Sequence, residues 1–266
     1  MLSKLLSLER LTAIAHRGGA TLRPENTVAA FDHALTFGVD AIECDVHLSR
    51  DGEVVVIHDP TLDRTTDHSG PVRSLTADEL SRVDAAYRFR PDADYPFRGR
   101  GWGVPRLREL LERYPETPFI IEVKGADPEV GRRMIEVVRD ARAADRVIVG
   151  GFDHAVLCAV RALAGDLITS ASGLEARSAL TRSYFALSPK RTGFRLFQMP
   201  FRLRGRQTLR RPFVRAARRG GFPVQAWIVD KPDEMRQLIA WGVTGIISDR
   251  PDLAVDVIKT LYRSAF

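Results

Sequence analysis

The chain has 266 residues, of which 44% are hydrophobic and 28% charged, and its formal net charge is +6. These proportions are typical of a globular protein. No apolar run approaches a membrane span, and the apolar stretch at the N-terminus ends at Glu9, too early for a signal peptide. We therefore expect one large cytoplasmic α/β domain over residues 1–266, with Cys44 and Cys158 as reduced core residues. The sequence predicts no particular oligomeric state.

The first predicted strand is the short apolar run at residues 12–16, which a Gly-Gly turn follows closely. It places His16 at the end of the strand and Arg17 directly after it. The residue pattern further along predicts a helix, and Asn26 stands where it would cap that helix. The neighbouring Glu25 is expected to bridge to Arg17 or to support a metal site.

The second predicted strand, Ala41–Val46, carries two carboxylates. Side chains alternate along a strand, so Glu43 and Asp45 share one face while Cys44 points to the other. That other face is apolar, which argues against a solvated acidic edge. Two carboxylates on one face repel each other unless a cation lies between them, and a hard divalent cation with oxygen ligands fits best.

Two more strands add to this cluster. An Asp-Gly hairpin signal precedes residues 53–59, where His58 follows a hydrophobic strand. Residues 118–124 form another apolar run, in which Glu122 and Lys124 share a face. Glu122 is the expected third carboxylate for the metal, and Lys124 is the expected second cation for a phosphate group.

These side chains together suggest a chemistry. Imidazole titrates near neutral pH, so His16 and His58 fit a general acid–base pair in which either one is the acid. Arg17 and Lys124 fit a phosphate group. The all-oxygen ligand set favours one Mg²⁺ or Ca²⁺ ion over Zn²⁺. The remaining histidines are expected to be structural: His33, His47, His68 and His154.

Strand-like and helix-like segments alternate through the rest of the chain, which indicates a parallel sheet. The later strands are predicted at residues 146–152, 167–170, 196–199, 224–229 and 245–248. Eight such units in this length favour a (β/α)₈ TIM barrel. A doubly wound open sheet is the alternative, but no Gly-rich phosphate fingerprint follows the first strand. Residues 60–105 interrupt the alternation, and connections of that length are usually functional.

The positive charge is concentrated in residues 177–219. No Asp or Glu occurs from Ala176 to Val229, and Phe residues lie between the basic ones. An anionic lipid surface or a nucleic acid would fit this segment. Arginine as the solubilising residue of helix faces is the interpretation we favour, because charge alone is non-specific. Peripheral contact with an anionic membrane remains as the alternative.

The order of the motifs resembles the glycerophosphodiester phosphodiesterase family. The matches extend from about residue 13 to 252 and comprise His16-Arg17-Gly18, Pro24-Glu25-Asn26-Thr27, Phe31, Glu43-x-Asp45-Val46, Asp51-Gly52, His58-Asp59, Leu62-Asp63-Arg64-Thr65-Thr66, Val104-Pro105-x-Leu107, Glu122-x-Lys124, Trp227 and Gly242-Val243-x-Gly245-Ile246-Ile247-Ser248-Asp249. Each motif alone is weak, but their order and spacing are specific. The chain departs from the family at Ile228 and Asp230, where relatives often have Thr and Asn, and at Ser248, where they usually have Thr.

The resemblance implies a TIM barrel in which residues 60–105 form a small insertion over the active-site mouth. It implies metal-dependent hydrolysis of glycerophosphodiesters to sn-glycerol 3-phosphate and an alcohol. In this family the substrate's own neighbouring hydroxyl is proposed to attack first, giving a cyclic phosphate that water opens. An aromatic residue, here Trp227, is implied to contact the glycerol moiety, and Gln198 and Phe152 are weaker candidates of the same kind.

Two other functions fit parts of the sequence. A lysophospholipase D or sphingomyelinase-D-like enzyme would apply the same chemistry to a substrate that keeps an acyl chain, and the Phe and Arg residues between 185 and 206 would support it. A protein that only binds phosphate esters or nucleic acid would explain the basic segment, but it needs no paired histidines. The sequence therefore argues for a small glycerophosphodiester as the partner and against nucleic acid.

Overall fold

A computed structural model describes residues 1–263 of the chain. Most of the strands belong to one sheet, and a separate short hairpin lies after its seventh strand. The strands are β1 (Thr12–His16), β2 (Ala41–Leu48), β3 (Val54–Val56), β4 (Phe119–Val123), β5 (Val147–Gly150), β6 (Ile168–Thr169), β7 (Phe197–Pro200), β8 (Arg202–Leu203), β9 (Arg206–Gln207), β10 (Val224–Trp227) and β11 (Gly245–Ser248).

The parallel strands form a closed barrel. They follow one another in the order β6-β5-β4-β2-β1-β11-β10-β7. A parallel bridge between Ser170 and Leu196 joins the two end strands and closes the sheet. The predicted TIM barrel is confirmed, because eight parallel strands alternate with helices. β3 pairs antiparallel with β2 and is the predicted hairpin, although it ends before His58.

Helices connect the strands on the outside of the barrel. They are α1 (Val28–Thr36), α2 (Ala77–Leu80), α3 (Leu107–Arg113), α4 (Pro128–Asp140), α5 (His154–Leu163), α6 (Gly173–Tyr184), α7 (Arg211–Arg219), α8 (Pro232–Trp241) and α9 (Pro251–Arg263). Local sequence sets several of the boundaries: Ser172 caps α6 in a reciprocal pair with Glu175, and Gly242 ends α8 in a left-handed conformation. Among residues 1–263, no helix is both long and apolar enough to span a membrane.

The alternation of β2 decides which residues reach the inside of the barrel. Ile42, Cys44 and Val46 point outward into the core between sheet and helices. The side chains between them, Glu43 and Asp45, therefore point inward. The barrel interior has its own apolar core, to which Leu5 of the N-terminal segment contributes. Apolar packing thus fills one part of the barrel, and the carboxylates occupy another.

The segment predicted as an insertion, residues 60–105, has a small core of its own. Leu62, Leu80 and Val104 are buried there together with Val55 of β3. The segment contains α2 and two short 3₁₀ turns. It is tied to the β2–β3 hairpin by the main-chain hydrogen bond from Arg50 to Leu75, and it ends where Arg106 pairs with Val55 of β3.

The two cysteines differ in environment. Cys44 is buried, as predicted, whereas Cys158 is exposed on α5, so the prediction of a second core cysteine is wrong. The apolar stripe of α5 is formed by Val156, Leu157 and Val160, and Cys158 lies outside that stripe. An apolar sequence context therefore did not indicate burial at this position, because the helix turns the side chain outward.

Candidate active site

A cavity of about 570 Å³ opens at the carboxyl ends of the barrel strands. Asp45 is fully buried, and the other residues proposed from the sequence all line this cavity: His16, Arg17, Glu43, His58, Glu122, Lys124 and Trp227. They come from five strands or the loops that follow them. The structure therefore brings the predicted side chains together in one place.

His16 is the last residue of β1 and is held by Asp249. Its Nδ1 donates to Asp249 Oδ1 at 2.6 Å, while its Nε2 lies 3.9 Å from Glu43 Oε2. Burial alone would lower the pKa of His16, but Glu43 and Asp249 outweigh that effect and raise it. Asp249 is positioned in turn by Asp230, whose Oδ1 accepts from the Asp249 main-chain N–H at 2.8 Å. Burial, together with Asp249, raises the pKa of Asp230.

Arg17 lies in the turn that follows β1 and has φ of +49°, in the left-handed region. Its main-chain N–H donates to Glu43 Oε2 at 3.0 Å, and its side chain donates to Glu25 Oε1 at 2.9 Å. The guanidinium also lies 3.1 Å from Asp45 Oδ2. The next residue, Gly18, has φ of +81°, and a Cβ there would lie 2.7 Å from the side chains of the first turn of α1. This close approach requires glycine and fixes where Arg17 points.

Three carboxylates form a cluster at the bottom of the cavity. One oxygen each from Glu43, Asp45 and Glu122 lies within 4.8 Å of the others. Asp45 is directly opposite Glu122 in the pairing of β2 with β4. Burial and the neighbouring Asp45 raise the pKa of Glu43 to about 8. Burial also opposes ionisation of Asp45, but Lys124 and Arg17 outweigh it and lower the pKa of Asp45 to about 2.

This donor set fits a divalent cation. All three residues offer hard oxygen ligands. Asp45 Oδ1 is buried and accepts no hydrogen bond from the described residues, although Lys124 Nζ lies 2.9 Å away as an ion pair. Lys124 also donates to Glu122 Oε1 at 2.7 Å. Because the pKa of Glu43 lies near 8, a divalent cation can replace its proton and share the buried oxygen of Asp45 with Lys124.

His58 belongs to a second hydrogen-bonded chain. Its Nδ1 donates to Asp59 Oδ1 at 2.5 Å, and the other oxygen of Asp59 accepts from Arg64 Nε at 2.5 Å. Arg64 also donates twice to Glu25, at 2.7 and 2.8 Å. Glu25 therefore connects Arg64 of residues 60–105 to Arg17 of the β1 loop. These two arginines outweigh the effect of burial and lower the pKa of Glu25.

Asn26 does not cap α1, and that prediction is wrong. Thr27 is the N-cap, since its hydroxyl accepts from the Ala30 main-chain N–H. Asn26 has φ of +57°, which turns its side chain towards β2, where Nδ2 donates to Asp45 Oδ2 at 2.9 Å. Asn26 therefore fixes a candidate metal ligand. The predicted bridge from Glu25 to Arg17 is present.

One side of the cavity is apolar. Trp227 and Phe152 meet edge to face there, with ring centroids 5.7 Å apart. The lining continues over Leu180 of α6 and Leu203 of β8. Gln198 also lines the cavity, and its amide donates to Gln225 at 3.0 Å. A bound molecule would therefore meet mainly apolar side chains on this side of the cavity.

The four histidines predicted to be structural do not line the cavity. His47 has the same strand parity as Asp45, but its Nε2 bonds to the main-chain oxygen of His58 at 3.0 Å. Burial lowers the pKa of His47. His154 contacts the Ser172 hydroxyl, and His68 contacts Asp67.

Sequence reasoning assigned no role to Asp249 or Arg64. A signal for Asp249 was available, because the first and last strands of a closed barrel are neighbours and Asp249 directly follows β11. β1 indeed pairs with β11. Arg64 gave no such signal, since it lies in a segment without periodicity and one of its two partners, Glu25, is 39 residues away in the sequence.

Comparison with known proteins agrees with this geometry. The model of the glycerophosphoryl diester phosphodiesterase family matches residues 16–253. The glycerophosphodiester phosphodiesterase of Caldanaerobacter subterraneus subsp. tengcongensis is 31% identical over 251 residues, which are 92% of this chain and 97% of that protein. The crystal structure of a Silicibacter pomeroyi protein assigned to the same activity has a TM-score of 0.80 at 25% identity and covers 98% of both chains.

A more distant solved structure has a bound product. An Oleispira antarctica phosphodiesterase, crystallised with sn-glycerol-3-phosphate, has a TM-score of 0.76 at 23% identity and covers 92% of this chain and 96% of its own. At that identity the likeness shows the fold, while the family match covers nearly the whole of the present chain. The chain belongs to the glycerophosphoryl diester phosphodiesterase family and is an enzyme of that class.

Proposed function

We propose that this enzyme hydrolyses small glycerophosphodiesters to sn-glycerol 3-phosphate and an alcohol by metal-dependent general acid–base catalysis. The observation that carries the proposal is that His16, His58 and a three-carboxylate cluster belong to a single site, around one cavity. Each histidine has one nitrogen held by its own carboxylate, which leaves the other nitrogen for proton transfer.

The charged residues have distinct tasks in this proposal. Glu43, Asp45 and Glu122 would hold one Mg²⁺ or Ca²⁺ ion, which neutralises charge on the phosphoryl oxygens when bound. Arg17 and Lys124 would bind the phosphate, and the carboxylates around them keep both cations in place before substrate arrives. Asp249 and Asp59 would fix the rings of His16 and His58. Either histidine can serve as the acid, and the other then serves as the base.

The apolar side of the cavity would position the rest of the substrate. Trp227 would contact the glycerol moiety, since it lines the same cavity as the two histidines. We also propose that residues 1–266 act as one catalytic domain. Residues 60–105 would then support one edge of the mouth through the contacts of Arg64 with Glu25 and Asp59.

The test is release of glycerol 3-phosphate from glycerophosphocholine, measured with Mg²⁺, with Ca²⁺ and with EDTA. We expect turnover with at least one of the ions and loss of turnover with EDTA. Full activity after removal of divalent cations would refute the metal-dependent part. Absence of turnover with both ions would refute the proposed substrate.

A second candidate function is the hydrolysis of an acylated substrate, as by a lysophospholipase D. The apolar continuation of the cavity along α6 and β8 favours it, because a glycerol moiety alone leaves Leu180 and Leu203 without a contact. Parallel measurement of kcat/KM with lysophosphatidylcholine distinguishes the two. A higher value for the acylated substrate would favour the second candidate, and no turnover of it would exclude it.

A further inference from the structure

The basic segment, residues 177–219, does not form one surface. Helices of the barrel run antiparallel to its strands, so α6 and α7 begin at the open, carboxyl end and finish at the opposite end. Arg177 of α6 lines the cavity, whereas Arg219, at the end of α7, donates to the main-chain oxygen of Ala186 beyond the end of α6. The fold therefore divides the positive charge between the two ends of the barrel.

At the open end, large apolar side chains are exposed beside unpaired arginines. Phe152, Leu174 and Leu203 are 57%, 53% and 54% exposed. They lie in the loop after β5, the first turn of α6 and the hairpin after β7, and β5, β6 and β7 are consecutive around the barrel. We call these residues and their basic neighbours the rim patch, which consists of Phe152, Leu174, Arg177, Leu203, Arg204 and Arg206.

The hairpin of β8 and β9 presents charge away from the barrel. Arg204 and Gly205 form its tip, and both have positive φ, as a two-residue hairpin turn requires. Neither Arg204 nor Arg206 has an ion pair or side-chain hydrogen bond to any described residue. Their neighbour Arg202 is paired with Glu234. Two exposed guanidinium groups of this hairpin thus lack a carboxylate partner among the described residues.

The opposite end also has exposed apolar and basic residues, but several of its arginines are used in the fold. Phe185 and Leu187 are exposed there. Arg191 donates to the main-chain oxygen of Gly220, as Arg219 does to that of Ala186. These guanidinium groups stabilise the ends of α6 and α7. Within residues 1–263, the rim patch combines two unpaired arginines, Arg204 and Arg206, with exposed apolar side chains and direct continuity with the cavity.

We propose that the rim patch docks the enzyme on an anionic lipid bilayer, with Leu174 and Leu203 entering the headgroup region and Arg204 and Arg206 contacting acidic headgroups. Exposed apolar side chains flanked by cations are typical of protein surfaces that bind at the boundary between lipid headgroups and acyl chains. Each arginine near such a surface strengthens binding roughly five-fold at moderate salt. For catalysis the inference rests on the proposed function, and on its acylated candidate in particular, since docking would place the cavity mouth against the layer that contains acylated substrates.

The experiment is co-sedimentation of the full chain with vesicles. One set contains only phosphatidylcholine, and the other contains equal amounts of phosphatidylcholine and phosphatidylglycerol. We expect binding to the anionic vesicles at low salt, weaker binding at high salt, and little binding to the neutral ones. The rim variant L174S/R204Q/R206Q should bind the anionic vesicles at least ten-fold more weakly, since two cations and one apolar anchor are removed.

A matched variant at the opposite end is the control. L187S/K190Q/R195Q also replaces one exposed leucine and two exposed basic residues, and it should bind like the unmodified chain. Hydrolysis of soluble glycerophosphocholine should be unchanged in both variants, because none of the six residues lines the cavity. That assay separates failure of docking from failure of the proposed function, and circular dichroism with thermal unfolding checks the folding of each variant.

Three outcomes would overturn the proposal. The first is that the unmodified chain does not bind anionic vesicles at low salt. The second is that the rim variant and the control variant lose binding equally. The third is that binding does not change with salt concentration. If a gel shift showed that an oligonucleotide binds through Arg204 and Arg206 while the anionic vesicles do not, the partner would be nucleic acid and the proposal would be wrong.

Discussion

The two halves of the cavity mouth differ in how their charges are paired. On the half formed by β1, β2, β4 and β11, Arg17 contacts Glu25 and Asp45, and Lys124 contacts Asp45 and Glu122. On the half formed by β5, β6, β7 and β10, the surface is mostly apolar, and Arg204 and Arg206 at its edge have no ion pair with a described residue. Catalytic groups need fixed positions and shifted pKa values, whereas a binding surface needs only shape and net charge. We therefore propose that the first half binds the phosphate and performs the chemistry, and that the second half binds the rest of the substrate.

The largest expected effect is the loss of either cavity histidine. We predict that His16→Ala or His58→Ala lowers kcat for glycerophosphocholine by about 10²- to 10⁴-fold, the usual contribution of a general acid or base. The measurement is steady-state kinetics at saturating metal. His68→Ala is the matched control, since His68 also contacts an aspartate but lies away from the cavity. If either cavity variant retained most of its activity, the chemistry would not depend on the half of the mouth that contains the two histidines.

A second prediction concerns pH and the carboxylate cluster. The pKa of Glu43 is about 8 in the folded chain against an ordinary value of 4.5. Between these values the folded state binds more protons than the unfolded state, so the free energy of unfolding of the metal-free protein falls as pH rises. A bound divalent cation replaces the proton. Added Mg²⁺ or Ca²⁺ should therefore raise Tm more near pH 8 than near pH 5. At a free cation concentration a hundred-fold above Kd, binding adds about 2.7 kcal/mol to the free energy of unfolding.

Glu43→Gln is the control for that experiment, because it removes the titrating group and one ligand while keeping the side-chain shape. We expect the variant to lose both the extra stabilisation by cation at high pH and the corresponding part of the pH dependence. A cation effect of equal size at both pH values, or one that Glu43→Gln leaves intact, would show that the cation binds elsewhere.

The link between Asp249 and His16 gives a smaller effect. Asp249→Asn keeps a hydrogen-bond acceptor but removes the charge that favours the protonated ring, so kcat should fall by about ten-fold or more with little change in KM. Asp233→Asn, an exposed residue at the start of α8, serves as the control. An effect on KM alone would indicate that Asp249 binds substrate and does not position His16.

The smallest effect should come from Arg64, which acts two contacts away from the reaction. Arg64→Ala should lower kcat only several-fold, because Asp59 retains His58 while Glu25 retains Arg17. Arg64→Lys should restore little, since lysine cannot donate to both Glu25 oxygens and Asp59 together. Arg73→Ala, another exposed arginine of the segment that pairs with one aspartate, is the comparison. A loss as large as that of His58→Ala would give Arg64 a direct part in the reaction.

Much of the catalytic half is predictable from sequence because its residues lie at strand ends. The alternation of β2 places Glu43 and Asp45 on one face, and parallel pairing brings Glu122 of β4 beside them. Side-chain alternation and the pairing of neighbouring strands therefore indicate that the three carboxylates lie close together. The metal and catalytic roles remain predictions until the kinetic and binding measurements are made.

The contacts that sequence reasoning missed depend on backbone geometry or on closure of the fold. Asn26 was expected at a helix cap, but its left-handed φ turns it towards Asp45. Asp249 reaches His16 only because the barrel closes β11 against β1. The basic segment looked uniform in sequence, and only the antiparallel course of α6 and α7 divides its charge between two ends. None of these follows from local residue patterns.

The most direct test of the contrast between the two halves is kinetic and uses two variants, His58→Ala and Leu203→Asp, each assayed with glycerophosphocholine and lysophosphatidylcholine. If the first half performs the chemistry, His58→Ala loses kcat with any substrate that the enzyme turns over. If the second half only binds, Leu203→Asp retains kcat for the small diester and loses efficiency only with the acylated one. Loss of kcat for glycerophosphocholine in Leu203→Asp as large as in His58→Ala would contradict the account.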